Sequence, residues 1–332
     1  MLSKLANFVS NRKKTFVFLG LCFGGYKLAQ TSYVQNYLLQ WWQQNYLEKF
    51  EKQEVFKFIN SKSQETIKKF QVNVFEKISE IFAAEELLES YKTASSRDEK
   101  LKIWDQLRLV TLSQIATVLY ANVMFILGVR VHFGVTVSYK YCDQKKSTDI
   151  DSIHLNCIAN FIENSLHELC AFIKTKMTAI VSGIPLKSQF TFLNLKQLFY
   201  NFQTSMCLDH NNPIRNMKHY FYEDCSKNEI PFPNTDNQFS AMINEAGCFL
   251  NSDEVISLAT SLVSKSFHVF LADISSDSDF SEMATGLSFL KIIPKLCNRL
   301  NSKYFEEILL NSISSEDTVQ TLSANVFEAF CT

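Results

Sequence analysis

Six histidines, nine cysteines and scattered carboxylates are the side chains through which this 332-residue chain could bind metal or do covalent chemistry. His167 and Cys170 lie three apart, so a helix would bring them to one face. A Cys–His nucleophile pair is one reading, and a surface histidine beside a buried cysteine is the plainer one. Glu163 and Glu168 near His167 do not match a di-metal carboxylate centre, which needs Glu-x-x-His repeated on two helices. Asp277, Asp279 and Ser281 alternate like the opening of a calcium loop. Its glycine and glutamate positions hold Glu282 and Ser288, and a start at Asp273 puts Ser278 and Ala284 there instead. No G-x-G-x-x-G, Walker loop, H-E-x-x-H or G-x-S-x-G occurs. The residue types thus predict no catalytic centre, no metal and no cofactor.

Charge excludes further classes. The net charge is -1, and the lysines are dispersed among acids rather than gathered in a patch, so nucleic acid is not an expected partner. The nine cysteines are odd in number and form no C-x-x-C pair, a usage that suits a reducing compartment. Cys331 is second from the end and cannot open a prenylation box.

The elements that would carry these side chains read as helices. The chain is 46% apolar and 20% charged, with 8 Gly and 5 Pro and no proline before Pro185. Such a stretch, rich in Leu, Gln, Lys, Glu and Phe, predicts helices joined by short polar loops, so the fold class is all-α, an elongated helical bundle. Residues 34–92 read as two or more helices with a weak break at "NSKSQ" (60–64). After the polar "TASSRDEK" (93–100), with Ser96 or Asp98 as cap, the chain is almost continuously apolar to Tyr141. Its centre, 115–137, is long enough to cross a membrane, but Asn122, Arg130 and His132 argue for the buried central helix of a bundle. Helices follow over 153–184, 190–207, from the Asn251/Ser252 cap onward, and at the C-terminus. Mobile loops are expected at about 142–152, 209–238 and 273–286.

"LKIWDQLRLV" (101–110) holds one of three tryptophans. Drawn as a helix, Ile103, Leu107 and Val110 form the core stripe. Trp104 lies ~80° to its flank, beside Leu101 and Arg108. A large aromatic off the stripe is the best candidate for a partner contact, unless another helix covers it.

The N-terminus has its own pattern. Lys4, Arg12, Lys13 and Lys14 precede an uncharged run from Thr15 to Tyr26, 12 residues long, extending through Lys27 to Tyr33 if that lysine snorkels. Tyr33, Tyr37 and Trp41 follow where an aromatic belt would sit. A cleaved secretory signal, a buried amphipathic helix and a membrane anchor all fit. The anchor is favoured, giving a basic segment 1–14, an anchor 15–33 and a helical domain 34–332.

"RKKTFVFLGLCFGG" (12–25), "LKIWDQLRLVTLSQ" leading into "VLYANVMFILGVRVHFGVTVSYKY", "LKIIP" (290–294) and "ANVFEAF" (324–330) together resemble the peroxisomal biogenesis factor 3, or peroxin-3, family. The resemblance runs nearly full length in one order and is thin between 200 and 285. It implies an all-helical cytosolic domain on a short anchor in the peroxisomal membrane, with no enzymatic activity. It implies docking of peroxin-19, the chaperone of newly made peroxisomal membrane proteins, and leaves room for further membrane-assembly partners. In the family an amphipathic helix of that chaperone lies in an apolar groove around the tryptophan of I-W-x-x-L. Carried over, this names Trp104 and Leu107, with Lys291 of K-I-I-P as the polar contact and Leu101 and Ile103 beside them. Arg12, Lys13 and Lys14 resemble the family's targeting signal. The second class of function left open is a membrane-tethered lipid-binding bundle, suggested by 29 Phe and the apolar 101–141 segment.

Overall fold

The computed structural model describes residues 48–142, 156–222 and 237–331. The basic segment with Arg12, Lys13 and Lys14, the anchor 15–33 and most of the 142–152 loop lie outside the described residues. The chain divides into two units, Met1–Lys57 and Phe58–Thr332. The described part of the first is the opening of a helix, with a Lys57–Glu54 ion pair at 3.1 Å.

That helix, α1 (Glu48–Phe82), continues into the second unit. Ile59, Ser63, Ile67, Gln71, Val74, Ile78 and Phe82 are buried at spacings of three and four, which defines one inward stripe. The expected break at 60–64 is absent. Asn60, Ser63 and Gln64 would favour a turn in isolation, but all three side chains accept hydrogen bonds from the Arg130 guanidinium at 2.9–3.0 Å, and the helix runs through them. The break falls instead at Ala83, whose φ of 48° is left-handed. The short helix α2 (Ala84–Thr93) follows.

Helix α3 (Arg97–Cys142) is the axis of the fold. The Ser96 hydroxyl caps it by accepting from the Glu99 amide at 3.1 Å. Every residue from Val110 to His132 is buried. Its membrane-length apolar window is wholly enclosed by protein, so 115–137 is a central core helix. It is packed by α2, by α4 (Leu166–Val181), by α6 (Met217–Tyr222), by α7 (Asn237–Leu250), by α8 (Asp253–Ser276), by α9 (Phe289–Leu300), by α10 (Lys303–Ser314) and by α11 (Asp317–Cys331). Among the described residues, α8 is also long and apolar enough to cross a membrane, though only partly buried.

Close approach to α3 uses its glycines. A Cβ on Gly128 would lie 2.0 Å from Phe221 Cζ, and one on Gly134 2.8 Å from Val326, so α6 and α11 sit where only hydrogen fits. Phe221 stacks on Phe161 at 4.6 Å between centroids, within the π-helical turn Phe161–Ser165 that precedes α4. Helix α5 (Phe192–Leu208) starts from a Thr191/Asn194 capping box. The two-residue strands β1 (Gln189–Phe190) and β2 (Leu287–Ser288) pair antiparallel, Phe190 opposite Leu287, and tie the start of α5 to the start of α9.

Two segments expected as loops are built differently. Residues 273–286 form the last turn of α8 and a 3-10 helix, Ser278–Ala284, because Phe280 and Met283 are buried and Arg299 holds both Asp273 and Asp277. Residues 209–222 are turns leading into α6, held by buried Ile214, Met217 and Tyr220. Residues 223–236 lie outside the described residues.

Candidate functional site

Burial separates the candidate residues of α3. Leu101, Ile103 and Trp104 are half-buried, on turns that the rest of the bundle covers from one side. Trp104 packs against the core with part of its ring in solvent. Its indole meets the Tyr91 ring of α2 edge to face, with centroids 5.2 Å apart. The Lys100 ammonium lies 5.6 Å from the centroid of the Tyr91 ring. Leu107, named as a partner contact, is 1% exposed and belongs to the core. Its position one turn past Ile103 puts it on the stripe, where the bundle closes over it.

Arg108, the sequence neighbour of Trp104, has contacts that its spacing does not predict. It is buried and ion-paired to Asp105, and it donates to the Ile184 carbonyl. Its guanidinium lies 5.7 Å from the centroid of the Phe289 ring, which stacks on Phe190 at 4.3 Å. Burial lowers its pKa from the ordinary arginine value, while Asp105 opposes that shift. A lone Arg beside a Trp in sequence gives no sign of these contacts, since Ile184 and Phe289 are 76 and 181 positions away. Phe289 opens α9, and Lys291 two residues on is exposed, while Ile292, Ile293 and Leu296 are buried. Burial and the charge of Glu85 on α2 both raise the Cys297 thiol of α9. The first turns of α3 therefore meet α2 through Tyr91 and the start of α9 through Phe289, while α9 nears α2 further along, at Cys297. Trp104, Leu101 and Ile103 present a part-exposed apolar surface there, and Lys291 is a solvated cation on the same group of helices.

The covalent candidates are arranged differently. His167 is exposed and Cys170 is buried, on opposite sides of the solvent boundary of α4. Burial pushes the Cys170 thiol up to about 12, which keeps it protonated at neutral pH and disfavours a nucleophilic role. Glu168 pairs instead with His219, Oε2 to Nε2 at 2.8 Å. Among the described residues no group of three His, Cys, Asp or Glu side chains is placed to hold a metal ion.

No protein-family profile matches the chain. Individual relatives do. The chain is 22% identical to Peroxisomal biogenesis factor 3 of Rattus norvegicus over 100% of its own length and 98% of the relative's. It is 22% identical to the Bos taurus protein of that name over 98% and 97%, and 21% identical to the Homo sapiens protein over 100% and 98%. This end-to-end collinear similarity to relatives that share one name, in a chain whose described residues are almost all helical, supports the resemblance of the chain to the peroxisomal biogenesis factor 3 family.

Proposed function

We propose that the chain serves peroxisome biogenesis as a docking receptor on the peroxisomal membrane, anchored by residues 15–33 with its helical body in the cytosol. Its partner is peroxin-19, an amphipathic helix of which lies against the Trp104 end. The observation that carries the reading is a half-buried tryptophan on the first turns of the central helix, which the bundle does not fully enclose. An amphipathic helix seeks such a surface, with aromatic and aliphatic anchors at its centre and a polar rim. Trp104, Leu101 and Ile103 supply the apolar part, and Lys291 supplies a cation to orient an acidic edge of the ligand. Leu107 supports that surface from beneath, as a core residue. The body acts by binding, and no reaction is assigned to it.

The lipid-carrier reading loses one of its two motives, because most of the apolar 101–141 segment that suggested it, Val110 to His132, is packed into the core. The test is a binding assay of the detergent-solubilised full chain with purified peroxin-19. A synthetic peptide of the partner's N-terminal amphipathic helix should compete. Binding that the peptide leaves untouched would reject the helix-in-groove reading.

A further inference from the structure

Arg130 is the charged group for which the docking role has no use. It sits on α3 and is 2% exposed. Three of its five N–H groups are used, all on neutral acceptors of α1: Asn60 Oδ1 at 3.0 Å, Ser63 Oγ at 2.9 Å and Gln64 Oε1 at 2.9 Å. Its Nε–H has no acceptor among the described residues. Burial alone moves its pKa, down to about 10, so the group stays cationic at neutral pH. The acids that flank the region in sequence are engaged elsewhere, Glu65 by Lys62 at 2.8 Å and Glu316 by Lys265. A buried guanidinium without a counter-charge is costly unless something supplies one.

The guanidinium lines a pocket of about 560 Å³ between α1 and the α10–α11 junction, where it is the one charged residue among the described residues. The walls add Asn60, Ser61, Gln64, Ser314, Ser315 and Gln320, all neutral and hydrogen-bonding. Ser314 is 7% exposed and its hydroxyl has no partner among the described residues. Asn60 and Gln64 give their amide oxygens to Arg130, which leaves their NH2 groups as donors. One fixed positive charge, amide and hydroxyl donors and no carboxylate make a setting for an oxyanion.

We propose that this pocket binds a phosphate-type oxyanion. Its charge is balanced by Arg130, and its oxygens are met by the Asn60 and Gln64 amides and the Ser314 hydroxyl. Free phosphate and a phospholipid headgroup share this chemistry.

The test is thermal unfolding of the detergent-solubilised full chain, in inorganic phosphate against chloride at equal ionic strength, and separately with dihexanoyl phosphatidic acid. Wild type should gain a saturable rise in midpoint of about 2–5 °C. A response to both probes marks a site for the phosphate group itself. A response to phosphatidic acid alone marks the headgroup as the source. Arg130→Gln should lose the rise. Should that variant not fold, Gln64→Glu decides: it places a carboxylate against Arg130, should raise the basal midpoint and should abolish the response. No saturable rise with either probe, or a rise that Gln64→Glu retains, would overturn the proposal.

Discussion

The ring of Tyr91 holds the indole of Trp104 edge to face, 5.2 Å between centroids and 67° between planes. This pairing links α2 to the unenclosed start of α3 and fixes the angle at which the indole meets solvent. An aromatic pair of this kind contributes about 0.5–1.5 kcal/mol beyond its buried area. Tyr91→Leu should therefore cost about 1 kcal/mol in urea unfolding. If the indole is the seat for a partner helix, the same variant should weaken peroxin-19 binding several-fold, read by titration of the labelled peptide.

The Asp273–Arg299 pair locks α8 to α9, the helix that carries Lys291. The Asp273 side chain is 6% exposed, and Arg299 Nε donates to its Oδ2 at 2.6 Å. Asp273→Asn leaves a largely buried guanidinium short of its main counter-charge, although Asp277 remains 3.5 Å away. A loss of about 3 kcal/mol is expected in chemical denaturation. Adding Arg299→Met should recover part of it, which separates the charge effect from lost packing.

Gly128→Ala should be among the most damaging small changes in the chain. The added methyl would meet the Phe221 ring at 2.0–2.7 Å, and that ring is already stacked on Phe161. Overpacking against a ring with no room to retreat should cost at least ~2 kcal/mol. Phe221→Leu in the same chain should return part of the loss, read as the shift in thermal midpoint.

His132 sets an acid limit on stability. It is buried on α3 with Nδ1 3.2 Å from the Tyr222 hydroxyl, and burial lowers its pKa to about 4 from an ordinary 6.5. The unfolded chain then binds the proton first. The stabilisation is complete above about pH 6.5, declines as pH falls, and levels off near pH 4 when the folded ring also protonates. The total is roughly 3 kcal/mol. Subtracting the His132→Gln stability curve from that of wild type should give this slope between pH 6.5 and 4. Parallel curves would show that His132 titrates alike in both states.

Much of the fold was legible in the residues. The proline-free, apolar-rich chain pointed to helices. Arg130 and His132 inside the 115–137 run argued against a second membrane span, and the structure gives them polar partners on α1 and α6. What sequence spacing could not supply were partners distant along the chain. "NSKSQ" read as a break because nothing local reveals that Arg130, about 70 positions on, satisfies those side chains within a helix. The 273–286 stretch reads as mobile because its acids and serines outnumber the buried Ile274, Phe280 and Met283, and because Arg299, which holds Asp273 and Asp277, is more than twenty positions away in sequence. At the candidate site Trp104 is half-buried as its off-stripe angle predicts, but Ile103, on the stripe, is half-buried too, because the first turn of α3 is covered less than the rest. Leu107 took its partner role from family position, although its own place on the stripe predicts a core residue. Arg108, which joins α3 to α9, became visible only with Phe289 beside it.

The affinity of peroxin-19 for the full chain, wild type against Trp104→Ala, with each protein's unfolding midpoint measured alongside, tests the docking account most directly. The account predicts a loss of about 2 kcal/mol or more in binding, roughly thirtyfold, with a fold that stays cooperative. Unchanged affinity in a folded Trp104→Ala protein would contradict it.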